Sequence, residues 1–79
     1  MIDAITRCNL SPIFKIRLEN TLGGHYKFWE AQGFSDGTVR IRYGRIGQWG
    51  QSINKDRTYF ERTAPKKLDK GYVVKEVSI

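Results

Sequence analysis

Residues 12–20, "PIFKIRLEN", alternate cleanly: Phe14, Ile16 and Leu18 fall on one side, Lys15, Arg17 and Glu19 on the other. A period of two predicts a half-buried strand. "NTLGG", residues 20–24, combines asparagine with paired glycines and predicts a turn. "HYKFWEAQ", residues 25–32, predicts a second strand, but its apolar residues fall on both faces, so neither face is expected to be simply solvated. "SDG", residues 35–37, is a hairpin signal. In "TVRIRY", residues 38–43, Val39, Ile41 and Tyr43 alternate with Arg40 and Arg42. The glycine-dense stretch "YGRIGQWGQ", residues 43–51, follows, and then a short polar strand, "QSINK".

Beyond Asp56 the period changes. Asp56 suits a helix N-cap. Phe60, Ala64 and Leu68 lie four apart and predict one apolar helix face. Lys66, Lys67 and Lys70 fall near the helix C-terminus, where the dipole favours cations, and Gly71 ends it. Pro65 interrupts the pattern, because a proline inside a helix removes a hydrogen bond and costs roughly 3 kcal/mol. The expectation is a helix kinked there, or one that ends near Thr63 with a second starting at Pro65. "YVVKEVSI" adds a last strand. Strands followed by one helix predict an α+β fold: an antiparallel sheet of four to five strands with the helix packed on one face. The arginines of "TVRIRY" are then expected on the open face.

Seventy-nine residues make a single domain, 1–79, with residues 1–11 expected as a loosely ordered N-terminal segment. The core of so short a chain is small. Cys8 is the only cysteine, which excludes an intrachain disulfide and a cysteine-based zinc cluster. No segment has the length of a transmembrane helix, and "MIDAITRCNLSP" lacks the apolar run of a signal peptide, so the expected location is cytoplasmic, or nuclear in a eukaryote.

Charge changes the picture more. Fourteen Lys+Arg against eight Asp+Glu give a formal net charge of +6. Between Asp36 and Asp56 there is no acidic residue, while Arg40, Arg42, Arg45 and Lys55 all fall there. A second cluster, Arg62, Lys66, Lys67 and Lys70, is relieved only by Asp69. Clustering of this kind points to a polyanion partner rather than to ordinary solubility charge.

Gly44, Gly47 and Gly50 match neither the dinucleotide fingerprint nor a P-loop, and no cofactor is expected. On spacing alone they read first as a turn. Such a loop also lets the backbone come close to a ligand. Arg45 sits between two glycines, and its planar guanidinium suits phosphate. Tyr43 and Trp49 flank it, as stacking on a base or sugar requires, although each could equally cover the core. His25, the only histidine, has no secure carboxylate to orient it and reads as a surface histidine at a turn rather than a catalytic base.

The pieces "KFWEAQ" (27–32), "TVRIR" (38–42), "YGRIGQWGQ" (43–51) and "KKLDKGY" (66–72) together resemble the WGR domain, which occurs in DNA-dependent poly(ADP-ribose) polymerases and in small bacterial proteins. Order and spacing agree over residues 13–74. The family pattern is an aromatic strand, a hairpin, a basic strand, W-G-R-(I/V)-G-x-x-G-Q, and a helix ending in G-Y. The resemblance implies a non-catalytic module that binds DNA or RNA, with DNA the leading expectation, through backbone phosphates or ends. By position it implies that Tyr43 packs on a sugar and that Arg45 lies in the interface, with Gly44 between them. Arg40, Arg42, Lys27, His25, Trp49 and Gln51 complete the expected contact set. Two departures stand out: Tyr43 replaces the tryptophan, and the segment 51–71 is shorter than the family pattern by roughly two helical turns. The alternative from the residues themselves is a protein-interaction or adaptor domain that docks through strand 25–32.

Overall fold

The computed structural model describes residues 11–79; the expectations for the N-terminal segment up to residue 10, Cys8 included, lie outside the described residues. The elements follow in the order β1 (Phe14–Asn20), a 3-10 turn (Leu22–Gly24), β2 (Lys27–Gly33), β3 (Thr38–Arg45), β4 (Gln51–Asp56), α1 (Arg57–Asp69) and β5 (Val73–Ser78). The strands form one antiparallel sheet in the order β4-β3-β2-β1-β5. This is the expected α+β architecture. Among the described residues, no helix is long and apolar enough to cross a membrane.

Alternation sorts the side chains into two layers. Leu18, Trp29, Ala31, Val39 and Ile41 are buried on the helix side, with Phe14, Ile16, Ile53, Tyr59, Phe60, Ala64 and Tyr72 packed around them. Each large side chain taken from water there contributes roughly 1.5–3 kcal/mol. Phe60 is the main link from helix to sheet: its ring lies parallel to Trp29 at 6.0 Å and tilted against Phe14 at 5.1 Å. Strand β2 explains why its apolar residues fall on both faces. Trp29 and Ala31 face the helix, whereas Phe28, on the other side, is 1% exposed.

The helix begins as expected, with the Asp56 carboxylate accepting from the Tyr59 backbone N–H at 2.9 Å. It continues through Pro65 as one helix, so the expected division after Thr63 does not occur. Pro65 and Glu61, whose carbonyl loses its helical donor, are both exposed, so water can serve that oxygen. The apolar stripe also shifts at its end. Leu68 remains 46% exposed, and Lys67, seven residues after Phe60, turns toward the sheet instead. The helix closes in a Schellman turn: Tyr72 N–H donates to the Lys67 carbonyl and Gly71 N–H to the Leu68 carbonyl. Asn20, 7% exposed, ties that turn to the sheet. Its amide donates to the Lys70 carbonyl at 3.3 Å and its oxygen accepts from Leu22 N–H at 3.0 Å.

Candidate nucleic-acid interface

The register of β2 against β3 decides which candidate residues can act together. Lys27 lies opposite Arg45, Phe28 opposite Gly44, Trp29 opposite Tyr43 and Glu30 opposite Arg42. Residues directly opposite share a face. Lys27, Tyr43 and Arg45 therefore stand on the helix side, and Arg40 and Arg42 on the open side. The basic sheet face and the Tyr-Gly-Arg loop, expected from the sequence to form one surface, occupy opposite sides of the sheet.

On the helix side two hollows adjoin. One, of about 290 Å³, is lined by Lys27, Phe28, Tyr43, Gly44, Arg45, Lys67 and Tyr72. The other, of about 280 Å³, is lined by Asn20, His25, Lys27, Lys67, Lys70 and Tyr72. Lys27, Lys67 and Tyr72 belong to both, and neither wall contains a carboxylate. Burial, then Lys70 and Lys27, hold the Lys67 ammonium below its ordinary pKa. Its nitrogen lies 5.4 Å from the centre of the Tyr72 ring, whose own hydroxyl is pushed up by burial. Cations gathered with no carboxylate among them attract a phosphate anion.

Local geometry holds this site open. Gly44 and Gly50 touch where the loop crosses back over β3: a Cβ on Gly44 would lie 2.8 Å from the Gly50 Cα. Tyr26, with φ of 49°, turns the chain into β2, and its carbonyl accepts from Ile46 N–H at 2.9 Å. Gln51 supports Tyr43, its side-chain oxygen accepting from the phenol at 2.9 Å. Tyr43 is in phase with the core residues Val39 and Ile41, yet remains 37% exposed at the edge. His25 precedes β2 instead of lying in it, and Glu19 lies opposite Phe28, so no carboxylate stands across from the imidazole.

The open face is different in kind. Glu30, 7% exposed, accepts from Arg17 at 3.2 Å and from Arg42 at 3.1 Å, and Arg17 also pairs with Glu19 at 2.8 Å. Both guanidinium groups lie over Phe28, at 4.5 and 5.1 Å from the ring centre. Arg42 is therefore largely spoken for. Trp49 is 71% exposed on this side, with Arg42 4.2 Å from its ring centre. Of the aromatic residues in the stretch 25–32, Phe28 and Trp29 are buried, and Tyr26 is 56% exposed.

Lys67, Lys70 and Tyr72 were missing from the contact set expected from the sequence. Their only signal was the basic last helical turn before "GY", which dipole compensation explains as well. Among the described residues, no group of histidine, cysteine and acidic side chains could hold a metal ion. Comparison with protein-family models, with curated proteins and with solved structures gives no match.

Proposed function

We propose that this chain is a non-catalytic nucleic-acid-binding module, of the kind the WGR resemblance implies, and that it holds DNA backbone phosphates on the helix side of the Tyr-Gly-Arg loop. One observation carries this: Lys27, Arg45, Lys67 and Lys70 converge with His25 on hollows whose walls have no carboxylate. Arginine and lysine play separate parts. Arg45 offers a planar fork to a phosphate, and the lysines act as point charges around it. Tyr43 and Tyr72 supply ring surfaces against which a sugar can pack. Gly44, between Tyr43 and Arg45, lets the Gly50 backbone pack directly against β3. Arg40 and Arg42, which the sequence placed in the same surface, contribute long-range attraction from the far side.

The test is a fluorescence titration against blunt, nicked and single-stranded probes, with and without a 5′ phosphate, at two salt concentrations. Duplex binding that weakens with salt, and that Arg45→Glu reduces at least tenfold while Arg40→Glu reduces much less, supports the proposal. A folded Arg45→Glu protein that binds as wild type removes this hollow from the interface. The absence of salt-dependent binding to every probe favours the protein-interaction role instead.

A further inference from the structure

The open face carries a second arrangement that phosphate binding on the helix side does not use. Phe28, Arg42 and Trp49 form a ladder: the Arg42 guanidinium lies 5.1 Å from one ring centre and 4.2 Å from the other. Arg42 is fixed from below by Glu30, and it donates to the Trp49 carbonyl at 3.4 Å. One face of the indole is thus supported by a cation. At 71% exposure, the other face is open to solvent.

Covering the core does not account for this position. Phe28 beneath is already closed off by the two arginines and by the backbone at Gly50. Trp49 adds a flat, pre-positioned surface at the top of the ladder.

The neighbouring hollow, also about 280 Å³, is lined by Lys15, Glu30, Gln32, Arg40, Arg42, Trp49 and Ser52. Glu30 is occupied by its two arginines. Lys15 and Arg40 form no ion pair among the described residues. An aromatic platform next to two cations outside the Glu30 ion pairs, and beside a side-chain amide and a hydroxyl, suits a nucleotide whose base is free to leave its stack. A base inside a duplex presents only its edges and cannot reach such a surface.

We propose that the open face receives an unpaired nucleobase stacked on Trp49, with the flanking phosphates on Arg40 and Lys15. The module then holds a strand on each side of its sheet, duplex or end phosphates at Arg45 and Lys67 and a single-stranded segment at Trp49. This rests on the nucleic-acid reading above.

The two tryptophans make the test direct, because Trp29 is 3% exposed and Trp49 is 71% exposed, so ligand quenching reports Trp49. Three probes with equal numbers of phosphates are titrated: oligothymidylate, an abasic strand and a hairpin duplex closed by a base-free linker. Oligothymidylate is expected to quench the emission and to bind about 5- to 150-fold more tightly than the abasic strand, the range for one stacked base. Trp49→Leu should remove that preference, and Trp49→Phe should keep part of it. Circular dichroism checks that both variants fold. Equal binding of thymidylate and abasic strands overturns the proposal, and so does equal quenching by the hairpin.

An Arg45→Glu/Lys67→Glu variant separates this claim from the one it rests on. Loss of duplex binding with retained base-dependent quenching supports both. Normal salt-dependent duplex binding by the wild type, without base-dependent quenching, rejects this site alone. If the double variant binds duplex as wild type while the base preference persists, the helix-side site is rejected and the Trp49 site stands. No binding to any of the three probes rejects both.

Discussion

Replacing Gly50 with alanine tests the loop that separates the two faces. At φ of 78° an L-residue is strained, and the left-handed conformation alone costs roughly 1–2 kcal/mol. Space adds to this. A Cβ at Gly50 would overlap the Tyr43 carbonyl oxygen, lie 2.9 Å from the Tyr43 carbonyl carbon and lie 3.1 Å from Phe28 Cζ. The oxygen and carbon are backbone atoms of a central part of β3 and cannot swing aside. Gly47 is the matched control: its φ is 94°, but nothing lies within 4 Å of the added carbon. Gly47→Ala should therefore cost only the conformational strain. Gly50→Ala should cost about 3 kcal/mol or more, since the overlap comes on top of the strain. For 79 residues the whole stability is expected to be roughly 4–12 kcal/mol, so the loss is a large fraction. Urea unfolding followed by tryptophan emission measures both variants, and the two midpoints should differ clearly at unchanged m-value. Equal midpoints would refute the claim that the crossing of Gly44 and Gly50 is rigid.

Other outcomes follow from the same geometry. Phe60→Ala removes the ring that bridges Phe14 and Trp29 and should cost about 3 kcal/mol in urea unfolding. Asp56→Ala should cost about 1 kcal/mol by loss of the cap on Tyr59 N–H, without changing duplex affinity. Lys67 gives a pH dependence whose sign is fixed. Its pKa is lowered in the free protein, and a bound phosphate raises it, so binding takes up a proton. Affinity should therefore be highest with Lys67 charged and fall as pH rises through that lowered value, and Lys67→Arg should flatten the fall. Calorimetric titration in buffers of different ionisation enthalpy would detect the proton uptake.

Much of the fold was legible because its elements obey simple periods. The alternation of Phe14, Ile16 and Leu18 and of Val39 and Ile41 placed β1 and β3, and Asp56 and Gly71 marked the helix ends. Pro65 does not divide the helix, and both it and Glu61, whose carbonyl loses its donor, are exposed residues that water can reach. The site was harder. Strand alternation does put Arg42 and Tyr43 on opposite faces, but a loop rich in glycine invites one to gather its neighbours into a single surface. Lys67, Lys70 and Tyr72 reach the site only because Asn20 pins the Schellman turn beside the start of β2. That contact spans fifty positions in the chain, and no local spacing encodes it. Glu30 was legible as a charge but not as the shared partner of Arg17 and Arg42, which is what leaves the two faces electrostatically unlike.

The central claim is that duplex phosphates are neutralised on the helix side of the Tyr-Gly-Arg loop. The slope of log affinity against log salt on a blunt duplex tests it most directly. If Lys27, Arg45, Lys67 and Lys70 each neutralise one phosphate, the wild-type slope is about −3.6, and affinity falls about 150-fold from 50 to 200 mM salt. Arg45→Gln/Lys67→Gln should bring the slope to about −1.8, while Arg40→Gln/Arg42→Gln should leave it close to the wild-type value. A flat wild-type slope, or a slope lowered by the Arg40 and Arg42 changes and untouched by those at Arg45 and Lys67, contradicts the account.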